Sequence, residues 1–416
     1  MKATTTLLAA LALASCAFAQ GIPSTPKAVV EFVISPPTGY KHADLVKFVD
    51  GDQYVFVSWD NIDGEATDNL AALYDVDGDG TASWTQSLTG TISHNDRVWD
   101  AKDTDEFLYQ RWQSTSYEVS RWDTSGRDWV STAYTSGSDW ESGGMAADGN
   151  RIVLSTASRT TRILDGSDDS TTTSLDIGIY SENAALSRDG LRLLTVSWGD
   201  YSMHDIENDV QEYLGTTYCD FGQVQDSEDV VALSADGDEF LVADELTKKL
   251  YIHNWNSGTS AFDRDTLTFS DYPRAVAISK DGSVGVVLTS SAKTVDGDLT
   301  AWVIDVPAGA IATDASSNDI KYVISNSFGT PHGRPQHVSV SDDGTEFGFA
   351  TKENHGRALA WQAKTGSISK IPVYTAPSFW RTIDADYAIQ SKGHFVFSAH
   401  ANSSPQLGTV TLMRLP

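Results

Sequence analysis

The chain has 416 residues, with 29 lysines and arginines against 57 aspartates and glutamates, a formal charge of −28. Such a surface repels nucleic acid and anionic membranes and excludes them as natural partners. Twelve Trp, 15 Tyr and 15 Phe exclude a disordered or fibrous chain, and 32 Gly suit short strands joined by tight turns.

In chain order, the first segment reads as a secretion signal. Met1-Lys2 is a short positive start, Leu7 to Ala14 is apolar, and Ala17-Phe18-Ala19 is a small-x-small cleavage site. This predicts a signal peptide over 1–19 and one domain over 20–416, secreted to the cell exterior. Leu13-Ala14-Ser15-Cys16 offers the alternative of a lipid anchor through Cys16. No later stretch has enough consecutive apolar residues to span a bilayer. Without Cys16 the chain keeps only Cys219, so no internal disulfide is expected and the fold rests on its core.

A repeat then runs along the chain. Its clearest copies end in Ser187-Arg188-Asp189-Gly190, Ser234-Ala235-Asp236-Gly237, Ser279-Lys280-Asp281-Gly282 and Ser341-Asp342-Asp343-Gly344. Each follows a short apolar strand and precedes a second one. Asp-Gly supplies the positive φ of a tight hairpin. A third strand follows, usually with an aromatic residue, and then a more polar fourth. Asp50-Gly51, Asp103-Thr104-Asp105, Asp148-Gly149 and Lys392-Gly393 mark weaker copies. The last unit lacks a fourth strand, and Val29 to Ile34 is a strand without a unit. These observations predict an all-β β-propeller of about eight four-stranded blades, or seven, with the N-terminal strand closing the ring. Asp75, Asp77 and Asp79 imitate the first half of a calcium loop, but Gln86 stands where a bidentate Glu belongs. They are read as a turn between the third and fourth strands, with no cofactor expected and a weak calcium site as the alternative.

The repeat grammar, with Ser-x-Asp-Gly turns and third strands such as Leu299-Thr300-Ala301-Trp302-Val303-Ile304-Asp305, resembles the WD40/YVTN-like propeller superfamily. The resemblance implies that the loop entering each first strand lies on one face with the hairpin between second and third strands. The Asp-Gly turns lie on the other. A monomer is expected, and loops on a rigid scaffold are the usual home of function.

Sorted this way, the entering loops hold the candidate site residues. His42, Arg97, Trp140, Arg274, Arg334, His337, Trp380 and Arg381 are the binding candidates. His94, His332, Tyr180, Tyr272 and Glu182 are the catalytic ones. The four arginines are read as equivalent channel-mouth positions in a chain poor in cations. A guanidinium grips a carboxylate or sulfate through two bonds, and aromatic faces stack on sugar rings. The expectation is recognition of an acidic oligosaccharide. Cleavage would proceed as a lyase, with Arg on the uronate and His or Tyr removing the adjacent proton. As a hydrolase it would use two carboxylates among Glu141, Glu182, Asp226 and Glu228. A non-catalytic propeller binding an extracellular protein, or a lactonase or cycloisomerase, are the alternatives. Lys248-Lys249 reads as a solvated hairpin.

Overall fold

A computed structural model of the chain describes residues 29–40, 42–60, 68–89, 97–100, 105–113, 116–126, 128–136, 140–146, 148–156, 160–165, 171–176, 183–196, 200–208, 210–215, 230–291, 298–324, 334–352, 359–365, 374–375, 381–388, 394–400 and 409–414. The signal segment, Cys16 and Cys219 lie outside them.

β1 (Val29–Ile34) precedes the first complete sheet, formed by β2 (His42–Val49), β3 (Tyr54–Asp60), β4 (Asp68–Asp75) and β5 (Ala82–Thr89). The second sheet is β6 (Arg97–Asp100), β7 (Glu106–Gln113), β8 (Ser116–Asp123) and β9 (Asp128–Ser136). The third is β10 (Trp140–Met145), β11 (Arg151–Thr156), β12 (Thr160–Asp165) and β13 (Thr171–Asp176). The fourth is β14 (Asn183–Leu186), β15 (Arg192–Val196), β16 (Tyr201–Asp205) and β17 (Val210–Gly215). The fifth is β18 (Val231–Leu233), β19 (Glu239–Asp244), β20 (Lys249–Asn256) and β21 (Ala261–Thr268). In the sixth, β22 (Tyr272–Ile278), β23 (Val284–Ser290) and β24 (Leu299–Asp305) are followed by an outer strand split into β25 (Ala310–Ile311) and β26 (Lys321–Ile324). The seventh is β27 (Arg334–Val340), β28 (Glu346–Lys352), β29 (Leu359–Lys364) and β30 (Tyr374–Thr375). The eighth runs β31 (Arg381–Ala388), β32 (His394–His400), β33 (Thr409–Arg414) and then β1, antiparallel to β33. The N-terminal strand thus supplies the outer strand of the last sheet, as the unpaired Val29 to Ile34 predicted, and Arg414 Nε meets Glu31 Oε1 at 3.0 Å across the join.

The first strands β2, β6, β10, β14, β18, β22, β27 and β31 neighbour one another in that order, and β31 packs back on β2. Each sheet therefore lies between two others, and middle strands are apolar on both faces. In β23, Val287 belongs to the core shared with the fifth sheet, whereas Val286 and Leu288 belong to the core shared with the seventh. At the join, Phe32 and Ile34 of β1 pack with Val396, Val410 and Leu412 against Val46, Val55 and Trp59 of the first sheet.

The four Ser-x-Asp-Gly turns share one construction. The glycines Gly190, Gly237, Gly282 and Gly344 have φ of 71°, 73°, 71° and 66°, a region closed to most side chains. Each serine Oγ donates to the aspartate two residues on at 2.6–2.9 Å. The same Oγ accepts an N–H from the residue opening the second strand at 2.9–3.0 Å. The aspartate accepts the N–H that follows the glycine at 3.0–3.1 Å. These donors, the serine hydroxyl first, hold the Asp281 and Asp343 carboxyls below their ordinary range. The glycines also serve packing between sheets. A Cβ on Gly190 would stand 2.9 Å from the Cβ of Ala146, and one on Gly237 2.9 Å from the Cβ of Arg192.

Outside this group the turns differ. The β10–β11 turn keeps the backbone bonds of the motif, with Gly149 N–H to Ala146 O at 2.8 Å, but has Ala146 in the serine position. The β2–β3 turn places Asp50, Gly51 and Asp52 in succession at positive φ. There Asp50 accepts the Thr124 hydroxyl of the next sheet at 2.7 Å, and burial raises its carboxyl pKa despite that bond.

Candidate functional site

The ends of the first strands opposite the Asp-Gly turns define one mouth of the central channel. Six predicted binding or catalytic residues open those strands: His42 on β2, Arg97 on β6, Trp140 on β10, Tyr272 on β22, Arg334 on β27 and Arg381 on β31. Because β27, β31, β2 and β6 are consecutive neighbours, Arg334, Arg381, His42 and Arg97 occupy four adjacent openings. The other four strands open on Trp140, Asn183, Val231 and Tyr272, none of them basic.

Just inside the openings the ladder slips. Register shifts fall between Ala43 and Leu45, Trp140 and Ser142, Pro273 and Ala275, Pro335 and His337, and Thr382 and Asp384. The residue passed over is Asp44, Glu141, Arg274, Gln336 or Ile383. A bulge at a rim turns a side chain away from the alternation of the strand. It also corrects the expected equivalence of the four arginines. Arg97, Arg334 and Arg381 open their strands, whereas Arg274 lies two residues further in, at the bulge, where β27 has Gln336. His337 is the first residue back in register on β27.

Arg274 shows what the bulge accomplishes. Its guanidinium pairs with Glu245 of the β19–β20 hairpin, in the preceding sheet; the side chains are only 11% and 7% exposed. A charge so placed is held by its partner, because an unpaired charge at that depth is costly. Arg274 Cζ also lies 5.9 Å from the centre of the Tyr272 ring, and Lys248 Nζ lies 4.2 Å from it. Lys248 donates to Ser270 O at 2.6 Å. The lysine expected on a solvated hairpin is thus part of the mouth, in a backbone conformation of φ 59°. Only its position, in the hairpin facing the next first strand, could have marked it. Tyr272, a catalytic candidate, has its ring engaged by both cations.

Beneath this cluster lies a buried polar chain. Asp244 accepts the Tyr251 hydroxyl at 3.2 Å and the Thr247 N–H at 2.9 Å. Tyr251 stacks on Tyr201 of the fourth sheet, with centroids 5.8 Å apart. The Tyr201 hydroxyl meets His253 Nε2 at 2.9 Å, and His253 stacks on Phe240 at 4.4 Å. Burial pushes the Tyr201 hydroxyl up to about 12 and, with the nearby Arg264 charge, pulls His253 down to about 3. His204 and His253, placed in third strands by the sequence, are both buried.

His94, Tyr180, Glu182, His332 and Trp380 lie outside the described residues. Asp75, Asp77 and Asp79 fall in the β4–β5 turn. Asp75 Oδ1 accepts the Asp77 N–H and Asp79 Oδ1 the Thr81 N–H, both at 2.9 Å. Among the described residues no three His, Cys, Asp or Glu side chains gather as metal ligands, and no helix is long and apolar enough to cross a membrane.

Comparison with solved structures supports the fold. The C-terminal WD40 domain of Sif2 superimposes with a TM-score of 0.58 at 10% identity, covering 95% of this chain and 100% of that one. The fold is a WD40-like β-propeller. The β-propeller domain of Myceliophteria thermophila Cps50 (Swd1) matches the propeller with a TM-score of 0.52 at 12% identity, covering 79% of this chain and 98% of that one. At these identities the likeness concerns the fold alone. No family model matches the propeller, and no curated protein matches it in sequence.

Proposed function

We propose that this propeller is a secreted binding protein that recognises an acidic carbohydrate at the mouth opposite its Asp-Gly turns. The observation that carries the reading is the run of four adjacent first strands opening on Arg334, Arg381, His42 and Arg97, in a chain where acids outnumber bases almost two to one. Basic residues gathered on adjacent strand openings of an acidic chain favour a ligand with several carboxylates or sulfates along its length. Arg274 has a different part. Its pairing with Glu245 ties two sheets together, so the arc, and not a ring of four arginines, is the recognition element. The proposal is recognition; cleavage by His94, His332, Tyr180 or Glu182 would be a further step.

The test is titration calorimetry of the mature chain with an oligouronate and with a neutral oligosaccharide of equal length, at matched ionic strength. The oligouronate alone should bind. Arg334→Ala and Arg381→Ala should each weaken binding about tenfold to a hundredfold, the worth of one charge-assisted bond. Equal binding of the neutral sugar, or no loss in either variant, overturns the reading. Binding of an acidic peptide in place of any sugar would transfer the arc to a protein partner.

A further inference from the structure

The mouth on the Asp-Gly side carries its own charged cluster, made by the variable second residue of the Ser-x-Asp-Gly turns: Arg188, Ala235, Lys280 and Asp342. Arg188 and Asp342 belong to the fourth and seventh sheets, yet Nη1 and Nη2 of the arginine meet Oδ2 and Oδ1 of the aspartate at 3.2 Å each. The pair passes over the turns of the two intervening sheets. Lys280 Nζ lies 4.0 Å from the same Oδ2. Two cations therefore converge on one carboxylate, which can balance only one of them. The backbone fixes their spacing: the Arg188 N–H donates to Ala235 O at 2.9 Å, and the Ala235 N–H donates to Lys280 O at 3.0 Å. Alanine between them adds no bulk beyond its methyl. The three charged side chains are 23%, 46% and 43% exposed for Arg188, Lys280 and Asp342, so solvent and solutes reach them.

We infer that this mouth is a second anion site, for a compact dianion of the sulfate or phosphate type, which Asp342 fills in the free protein. A dianion matches both cations at once: its oxygens suit the planar fork of Arg188 and the point charge of Lys280. Asp342 supplies one negative charge on a short, half-exposed arm. This site is independent of the acidic-carbohydrate arc at the opposite mouth.

The experiment is titration calorimetry of the full chain with sodium sulfate, and in a second arm sodium phosphate, against sodium chloride at equal ionic strength. The wild type should bind one dianion. Asp342→Asn should tighten binding about tenfold, since the internal competitor loses its charge. Arg188→Met should abolish it. Lys280→Met leaves the Arg188–Asp342 pair intact, so it keeps the result readable if the other variants fold poorly, and it should weaken binding about tenfold. Saturable binding of either anion with this order of variants supports the site. Heats equal to those of chloride in the wild type, or sulfate affinity unchanged in Lys280→Met or lowered in Asp342→Asn, overturn it.

Discussion

The fourth to seventh sheets and the rest of the ring solve one problem differently. In the first group, each turn uses a serine hydroxyl, an aspartate and a glycine at positive φ, and the turns of the fourth, fifth and sixth sheets are joined in succession by backbone bonds. In the first and third sheets the equivalent turns have Asp50 bound to Thr124, or Ala146 in place of serine. The regular group overlaps the cationic arc only in the seventh sheet. Three of the four arc residues, Arg381, His42 and Arg97, open strands of the less regular part. Departure from the repeat goes with most of the surface proposed to bind carbohydrate. Loops on a rigid scaffold commonly divide this way.

Breaking the frame at its mouth should have the largest effect. Arg274→Ala removes the guanidinium from a carboxylate 7% exposed and should cost about 3–5 kcal/mol in denaturant unfolding. The double variant Arg274→Met/Glu245→Gln should recover much of the loss. If Arg274→Ala instead weakened oligouronate binding with stability intact, Arg274 would belong to the recognition surface.

Acid should come next. His253 titrates at about 3 in the fold and near 6.5 when unfolded. Between these values the unfolded chain binds a proton that the folded chain does not. Stability is therefore complete above pH 6.5 and falls as pH drops toward 3, on the order of 1.4 kcal/mol per unit. His253→Gln should flatten urea-unfolding profiles over that window. An unchanged slope would place the acid sensitivity elsewhere.

Glycine substitutions measure the two regions side by side. Gly190→Ala forces both a positive φ and a methyl 2.9 Å from the Ala146 Cβ, a loss of about 2–4 kcal/mol. Gly39→Ala, at φ 98° with nothing within 4 Å of the added Cβ, should cost only the backbone strain, about 1–2 kcal/mol. Equal melting shifts would show that the glycine packing between sheets contributes nothing.

The smallest change tests whether the motif transfers. Ala146→Ser restores the missing hydroxyl beside Asp148 and the Arg151 N–H, and should add about 0.5–1 kcal/mol. Destabilisation would mean that the third sheet has no room for it.

Much of this frame could be read in the chain, because its signals are local. Asp-Gly after an alternating strand specifies a hairpin within a few residues, and the Val29 to Ile34 strand matched the bounds of β1. The site was less legible, because it depends on relations that sequence spacing does not record. Arg334 and Arg381 stand near one end of the chain and His42 and Arg97 near the other, and only ring order makes them neighbours. The bulge that separates Arg274 from the other arginines has no strong signature. Pro273 and Pro335, which cannot donate to a ladder, precede it in β22 and β27, but nothing equivalent marks β2 or β31. The Arg188–Asp342 pair joins residues 154 apart through the position that varies among Arg, Ala, Lys and Asp from copy to copy.

The pairing of β1 with β33 has a consequence for how the molecule is made. Among the described strands β1 is made first, yet its sheet partner, Thr409–Arg414, is made last. At about 5–20 residues per second the wait is roughly 20–75 s. Throughout that interval the first sheet's core lacks the cover that Phe32, Ile34 and Leu412 later provide, and an apolar edge stands open to other nascent chains. Completion of the ring therefore waits on β33, and yield should respond to anything that shields β1 until that strand appears.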